Sequence, residues 1–152
     1  MNNHFSNARI PDNTCLFSTG QTMYSSISEW MTTMTEETNK NCVVCNEKLT
    51  LIQEFAFALP FIAIDFSHQI LQLVMTFTIS IENTETSYKL RGIIYFGDSH
   101  FVARVIFDNG MVWFHDGLTT GHNLIYEGML NNDLLLHQCN GKNAIAAIYI
   151  MY

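Results

Sequence analysis

The stretch YKLRGIIYFGDSHFVARVIFDNGMVWFHDG, residues 88–117, decides the fold of this chain. It holds three extended runs rich in β-branched and aromatic residues, Tyr88–Phe96, His100–Phe107 and Met111–Phe114. Gly-Asp-Ser separates the first two runs, and Asp-Asn-Gly separates the last two. Asn-Gly between two such runs is a strong hairpin signal, because both residues tolerate a positive φ. The stretch therefore predicts an antiparallel meander.

A histidine and an aspartate fall at neighbouring ends of this meander. His100 opens the second strand, and Asp116 follows the third. Because a hairpin brings the start of one strand beside the end of the next, we expect the two side chains to be neighbours. An imidazole beside a carboxylate is the pairing that orients a general base. Alternatively, His100 is an ordinary half-buried histidine and Asp116 is a turn residue before Gly117. His115 and His122 are predicted to be surface or turn residues.

The composition is that of an acidic, folded chain. Its 152 residues suit one domain with a hydrophobic core, and 48% hydrophobic residues argue against disorder. The formal net charge of −7 disfavours nucleic acid and anionic membranes as partners. The apolar run 51–64 is too short to span a bilayer, and Glu54 and Pro60 interrupt it. The first ten residues are polar and do not resemble a signal peptide, so we expect an intracellular protein of the cytoplasm or nucleus.

The sequence divides into an irregular N-terminal arm, residues 1–24, and a single domain, residues 25–152. Apolar residues at three- and four-residue spacing predict one main helix over Ser25–Glu37, capped by Ser25 or Ser26. Further strands are predicted in two runs of residues 49–66 broken at Pro60, in residues 71–81 and in residues 144–152. This pattern predicts an α+β fold in which one N-terminal helix packs near an antiparallel, twisted sheet.

Two of the four cysteines form a Cys-x-x-Cys pair, Cys42 and Cys45. This cysteine content favours a reducing compartment over a disulfide framework. The spacing of the pair suits one half of a tetrahedral zinc site, for which Cys15 is a candidate further ligand. A metal-free turn is the alternative. A thioredoxin-like redox motif is disfavoured, because it needs a helix beginning at the pair and the predicted helix precedes it.

The meander resembles the histidine box of the ubiquitin-specific proteases, papain-like cysteine proteases that cleave ubiquitin from lysines. That family runs Y-x-L-x-G-V-x-x-H-x-G, then G-H-Y-x-A, then W-x-x-F-D. This chain has Tyr88–Tyr95, Gly97–Arg104 and Trp113–Asp116 in those places. Phe101 stands where the family has tyrosine, Ser99 stands where it has glycine, and the last motif is one residue shorter.

Three further segments follow the family's order. They are Ile27–Thr38 leading into the Cys-x-x-Cys pair, Leu59–Phe66, which resembles an L-P-x-x-L-x-I strand, and Ala144–Tyr149, which resembles the closing A-Y-x-L-x-Y strand. The likeness covers about residues 25–150 and corresponds to the C-terminal half of the catalytic domain. It implies the palm and part of the fingers of that domain.

The resemblance also implies a chemistry. His100 would be the catalytic base, Asp116 would orient it, and the partner would be ubiquitin or a ubiquitin-like modifier. Cys15, in the run D-N-T-C, echoes the family's nucleophile box and is the possible nucleophile. Only 26 residues separate it from the Cys-x-x-Cys pair, which leaves no room for the usual helical subdomain. Catalysis would need no cofactor, whereas Cys42 and Cys45 would form a partial structural zinc site.

Three functions follow from these features. The leading hypothesis is thiol-dependent isopeptide hydrolysis by a partial or degenerate deubiquitinase domain, whose nucleophile lies upstream in a longer gene product or is absent. The alternative is a non-catalytic module that binds ubiquitin or another protein through the same sheet. The third is a small zinc-binding structural domain.

Overall fold

The computed structural model describes residues 5–9, 15–20, 23–33, 35–55, 57–81, 83–130 and 135–152. The chain is mostly β, with 54% of its residues in strands and 4% helical. The predicted α+β fold with one main helix is therefore wrong. The predicted antiparallel sheet is also wrong, because the large sheet is mixed.

The described residues form one helix and two sheets. In chain order the elements are β1 (Phe5–Arg9), β2 (Leu16–Ser18), α1 (Ile27–Thr33), β3 (Thr35–Asn41), β4 (Lys48–Glu54), β5 (Phe61–Asp65), β6 (Thr76–Ile81), β7 (Thr84–Gly97), β8 (His100–Ile106), β9 (Met111–His115), β10 (Ile125–Met129), β11 (Gln138–Cys139) and β12 (Lys142–Met151).

The larger sheet has nine strands, and its main path runs β10-β9-β8-β7-β12-β5-β2. The long strand β7 pairs along one edge with β12 and along the other with β6 and then β8. Strand β12 lies between β7 and β5, as the apolar C-terminal run predicted. The pairs on this path are antiparallel except for β2 and β5, which are parallel.

The smaller sheet has three strands in the order β1-β4-β3. Strand β1 runs parallel to β4, and β3 runs antiparallel to it. The residues predicted to form an irregular arm thus contribute one strand to each sheet.

The helix is much shorter than predicted. Ser26 caps it by accepting a hydrogen bond from the Glu29 N–H at 3.1 Å, and the Glu29 carboxylate accepts from the Ser25 N–H at 2.7 Å. The helix ends at Thr33, and the next residues pair with β4 instead of continuing it. Clustered threonines explain this outcome, because β-branched side chains fit a strand better than a helix. At seven residues the helix cannot span a bilayer, and no other helix lies in the described part of the chain.

The two hairpins of the meander use different turns. Gly97 pairs with His100, and the residues between them, Asp98 and Ser99, have φ values of 52° and 59°. Two positive φ angles make a two-residue turn of type I′. In the second hairpin Gly110 has a φ of 81° and donates to the Phe107 carbonyl at 3.0 Å, as in a three-residue loop with a bulge. Both turns fall where the sequence predicted them.

The two faces of the nine-stranded sheet differ in burial. One face, which we call the core face, carries fully buried side chains that alternate along each strand. Its largest side chains are Tyr88, Tyr95 and Tyr149 from β7 and β12. Trp30 of the helix is buried in the same core. Each of these three tyrosines donates a hydrogen bond to a carbonyl outside its own strand, at 2.8–2.9 Å. The hydroxyls thereby tie the connecting segments to the sheet.

The opposite face, which we call the open face, is apolar but solvent-exposed. Seven of its large hydrophobic side chains are 40–64% exposed. They are Leu16, Phe61, Phe96, Phe101, Phe107, Tyr126 and Ile150. The alternation of strand side chains accordingly yields two apolar faces, of which one is buried.

Candidate active site

His100 lies at the rim of the core face, at the first position of β8. It shares that face with the buried residues Val102 and Arg104, because side chains two apart in a strand point the same way. The type I′ turn directly precedes His100, so the ring lies at the end of the sheet where β8 begins. The side chain is 26% exposed, so it is accessible to solvent from one side.

The structure brings His100 and Asp116 together. His100 Nε2 lies 2.8 Å from Asp116 Oδ1. The same oxygen accepts hydrogen bonds from the Leu118 N–H at 2.9 Å and the Thr119 N–H at 3.4 Å. Thr120 closes the turn by donating its hydroxyl to the Asp116 carbonyl at 2.8 Å. The turn that follows Asp116 therefore holds the carboxylate in place independently of its contact with the imidazole.

These contacts determine the charge of the carboxylate. Burial raises the pKa of Asp116, but the hydrogen bonds from His100, Leu118 and Thr119 outweigh burial and lower it to about 2. Near neutral pH the carboxylate can only accept a hydrogen bond, so His100 Nε2 must carry the proton. In the neutral ring the lone pair is then on Nδ1. This is the tautomer that a general base requires.

A second pair lies four residues further along the same strand. Arg104 Nε donates to Glu127 Oε2 at 2.6 Å, and Arg104 Nη2 donates to Glu127 Oε1 at 3.3 Å. Arg104 Nη1 donates to the carbonyls of Leu135 and Gln138 at 2.7 and 3.0 Å, and to the Tyr95 hydroxyl at 3.3 Å. Burial lowers the pKa of Arg104, but the bonds to Glu127 and Tyr95 outweigh burial and raise it. Burial raises the pKa of Tyr95 to about 12.

Sequence reasoning did not identify the Arg104 cluster. Its signal was present, because Arg104 falls at an inward-pointing position of an alternating strand, between Val102 and Ile106. A charged residue at such a position requires a buried partner. The partner, Glu127, comes from β10, a strand outside the predicted meander.

The structure does not bring Cys15 to His100. Cys15 precedes β2 at the far edge of the sheet, where its carbonyl accepts from the Ala63 N–H at 2.7 Å. The path from β8 to β2 crosses β7, β12 and β5, which makes four strand spacings, or roughly 19 Å. Cys139 is buried on β11, and burial raises the pKa of its thiol. Among the described residues, no cysteine sulfur is hydrogen-bonded to the His100 ring.

The other two histidines of this region lie apart from the pair. His115 Nε2 lies 3.1 Å from the Gly121 carbonyl, and His122 is exposed in the following turn. His122 agrees with the turn predicted for it, whereas His115 is the last residue of β9 and is only partly exposed.

Cys42 and Cys45 occupy the tip of the β3–β4 hairpin. The Cys42 N–H donates to the Glu47 carbonyl at 2.7 Å, and the Asn46 N–H donates to the Cys42 carbonyl at 2.9 Å. Hydrogen bonds from the N–H groups of Cys45 and Val44 lower the pKa of Cys42. Within the described residues, no group of three or more His, Cys, Asp or Glu side chains is placed to hold a metal ion. The predicted zinc site is therefore not assembled among the described residues, because Cys15 is not placed with Cys42 and Cys45.

Comparison with known proteins shows a likeness of structure. No family model matches the sequence, and no curated protein matches it. The fold is similar to a chain of the SAGA Ubp8/Sgf11/Sus1/Sgf73 DUB module, with a TM-score of 0.55 and 12% identity over 90% of this chain and 32% of that chain.

Two further structures of that module show the same similarity. One is bound to monoubiquitin, with a TM-score of 0.56 and 12% identity over 90% of this chain and 35% of that chain. The other is bound to ubiquitin aldehyde, with a TM-score of 0.50 and 13% identity over 98% of this chain and 36% of that chain. At this identity the likeness concerns the fold alone: the chain has the fold of about one third of the chain that it matches in the DUB module.

Proposed function

We propose that this chain is the palm-like part of a ubiquitin-specific-protease-like cysteine hydrolase, in which His100 is the general base and Asp116 orients it. The observation that carries the proposal is the 2.8 Å hydrogen bond between His100 Nε2 and Asp116 Oδ1 at the rim of the sheet. The fold shared with a DUB module and the ordered sequence motifs support it. The substrate class is ubiquitin, or a ubiquitin-like modifier, joined to a lysine.

The proposed reaction has two halves. In the first, His100 Nδ1 takes the proton of a thiol, and the thiolate attacks the isopeptide carbonyl carbon. The carbon–nitrogen bond then breaks, and His100 returns the proton to the departing lysine amine. In the second, His100 takes a proton from water, hydroxide attacks the thioester, and the carbon–sulfur bond breaks to release the carboxylate and restore the thiol. Asp116 stabilises the imidazolium that forms in each half.

The thiol is not among the groups that the described residues place beside His100. Cys15 lies four strands away, and Cys42 and Cys45 lie on the smaller sheet. In this proposal a segment that packs against the His100 end of β8 supplies the nucleophile. The described residues of this chain then provide the general base, His100, which Asp116 orients so that Nδ1 can accept a proton.

The experiment tests binding and base catalysis separately. Isotope-labelled ubiquitin is titrated with the purified chain, and the release of a fluorophore from the ubiquitin C-terminus is followed with an excess of a small thiol. We expect shifts in the ubiquitin spectrum and a thiol-dependent rate that falls about 10²-fold in His100→Gln. His122→Gln is the matched control, because that ring is exposed outside the pair.

The same experiment evaluates the non-catalytic alternative. The observation that favours the alternative is that no described cysteine sulfur contacts His100. Ubiquitin binding with no histidine-dependent rate would identify the chain as a binding module. Absence of binding at millimolar ubiquitin would refute both functions.

A further inference from the structure

Asp116 lies one residue beyond the ladders of the sheet. Strand β9 ends at His115, which pairs with Ala103 of β8, and the pairing of β9 with β10 reaches only to Phe114. Neither of these described ladders supplies a partner for the backbone N–H and carbonyl of Asp116. Asp116 is 8% exposed, so its backbone groups need partners within the protein.

The contact with His100 requires an accurately placed Asp116 backbone. Continued by one pair, the register of β8 and β9 would put Asp116 opposite Val102. His100 lies two residues before Val102 on the same face, so it is a diagonal neighbour of Asp116. The Cα atoms of diagonal neighbours are roughly 7–8 Å apart, and the aspartate side chain is short. The 2.8 Å contact between His100 Nε2 and Asp116 Oδ1 therefore tolerates little movement of that backbone.

Thr120 binds both backbone groups of Asp116. Its hydroxyl donates to the Asp116 carbonyl at 2.8 Å and accepts from the Asp116 N–H at 3.1 Å. The Thr120 N–H donates to the same carbonyl at 2.8 Å. Thr120 is 8% exposed, so water competes little for these bonds. A valine, which has nearly the same shape, would keep the bond of the N–H and lose both bonds of the hydroxyl.

From this geometry we infer that Thr120 is a positioning residue of the candidate site, whose hydroxyl holds Asp116 where the carboxylate fixes the tautomer of His100. The Leu118 and Thr119 N–H groups reach the carboxylate from the same turn, so a looser turn would weaken their bonds as well. This role rests on the proposed function, because the tautomer matters to catalysis only if His100 is the base.

Nitrogen NMR of the labelled His100 ring measures the role without ubiquitin or a thiol. In Thr120→Val the ratio of the Nε2–H form to the Nδ1–H form should fall about fivefold, which corresponds to the net contribution of one hydrogen bond. Thr120→Ser keeps the hydroxyl and should keep the ratio of the wild type. Thr78→Val is the matched control and should not change the ratio, since the Thr78 hydroxyl is also hydrogen-bonded, to Ser87 at 3.1 Å, outside the site.

Hydrogen exchange tests the same role on the unaltered chain. The Asp116 N–H should be protected as well as the amides of β9, although it lies beyond the ladder. Exchange at the rate of an unstructured peptide would overturn the inference even if Thr120→Val did not fold. An unchanged tautomer ratio in folded Thr120→Val, or an equal fall in Thr120→Val and Thr120→Ser, would also overturn it.

Failure of this role and failure of the proposed function give different results. A tautomer ratio that responds to Thr120→Val in a chain with no thiol-dependent rate would support the positioning role and refute base catalysis. A rate that depends on His100, with a tautomer ratio that ignores Thr120→Val, would do the reverse. Where both hold, the rate should fall together with the ratio in Thr120→Val and recover in Thr120→Ser.

Discussion

Strand β8 carries two basic residues on its core face, and each is paired with a carboxylate in a different way. Arg104 and Glu127 form a two-pronged ion pair, and the remaining donors of Arg104 bond to two carbonyls and a tyrosine. His100 and Asp116 share one hydrogen bond, and the second ring nitrogen of His100 accepts or donates no hydrogen bond among the described residues. The Arg104 side chain is 8% exposed and the His100 side chain 26% exposed. An ion pair whose buried arginine makes five hydrogen bonds stabilises structure, whereas a pair with one ring nitrogen left over can move a proton.

The largest effect should come from breaking the Arg104 pair. Arg104→Met leaves the Glu127 carboxylate and two carbonyls without a donor, so we expect a loss of about 3–5 kcal/mol in the free energy of unfolding. Urea denaturation measures it. The matched control is Arg91→Met, since the Asp108 partner of Arg91 is 91% exposed and that pair should contribute less than about 1 kcal/mol. Equal losses of unfolding free energy in Arg104→Met and Arg91→Met would contradict the structural role given to the Arg104 pair.

Replacing the other carboxylate should alter protonation more than stability. In Asp116→Asn the amide oxygen can still accept from Leu118 and Thr119, so we expect a smaller loss of stability than in Arg104→Met. The charge that selects the Nε2–H tautomer of His100 is gone, however. Nitrogen NMR of the labelled ring should show the Nδ1–H form increasing. An unchanged tautomer ratio would show that Asp116 does not orient His100.

Acid should weaken the contribution of Asp116 to stability. The pKa of Asp116 is about 2 in the folded chain, below its ordinary value of 3.8. A lowered folded-state pKa means that the unfolded chain binds the proton first, so its contribution to stability is present above about pH 4 and is lost as the pH falls towards 2. The difference in urea midpoint between wild type and Asp116→Asn should therefore shrink over that window. A constant difference would be inconsistent with the lowered pKa.

The smallest effect should come from the turn that holds His100. Ser99 has a φ of 59°, a conformation that strains any residue with a Cβ. Ser99→Gly removes the strain but adds freedom to the unfolded chain, so we expect a net gain of about 0.5 kcal/mol. Thermal unfolding measures it. Ser87→Gly in β7 is the control and should destabilise the chain, because glycine weakens the interior of a strand.

The meander could be predicted from sequence because its signals are local. Alternating residues and two turn sequences determine which residues are strands and that His100 approaches Asp116. The helix was predicted too long because its apolar spacing continues past Thr33, whereas pairing with β4 takes over from Thr35. That competition depends on the pairing partner β4, which lies outside the window over which a helical pattern is judged.

The remaining contacts could not be predicted from local sequence patterns. The contact between Arg104 and Glu127 joins residues 23 positions apart, and the second of them lies beside a bulge in β10. The parallel pairing of β2 with β5 could not be predicted either, because the alternation in a three-residue edge strand is too short to indicate a pairing partner.

The open face has a consequence for handling the protein in solution. Seven large apolar side chains are exposed on one sheet surface, and exposed apolar surface favours association between copies. Repulsion between copies then rests on the net charge of −7, which vanishes near the sequence isoelectric point of about 5.2. Colloidal stability should therefore fall between neutral pH and pH 5, with turbidity that a mild detergent reverses.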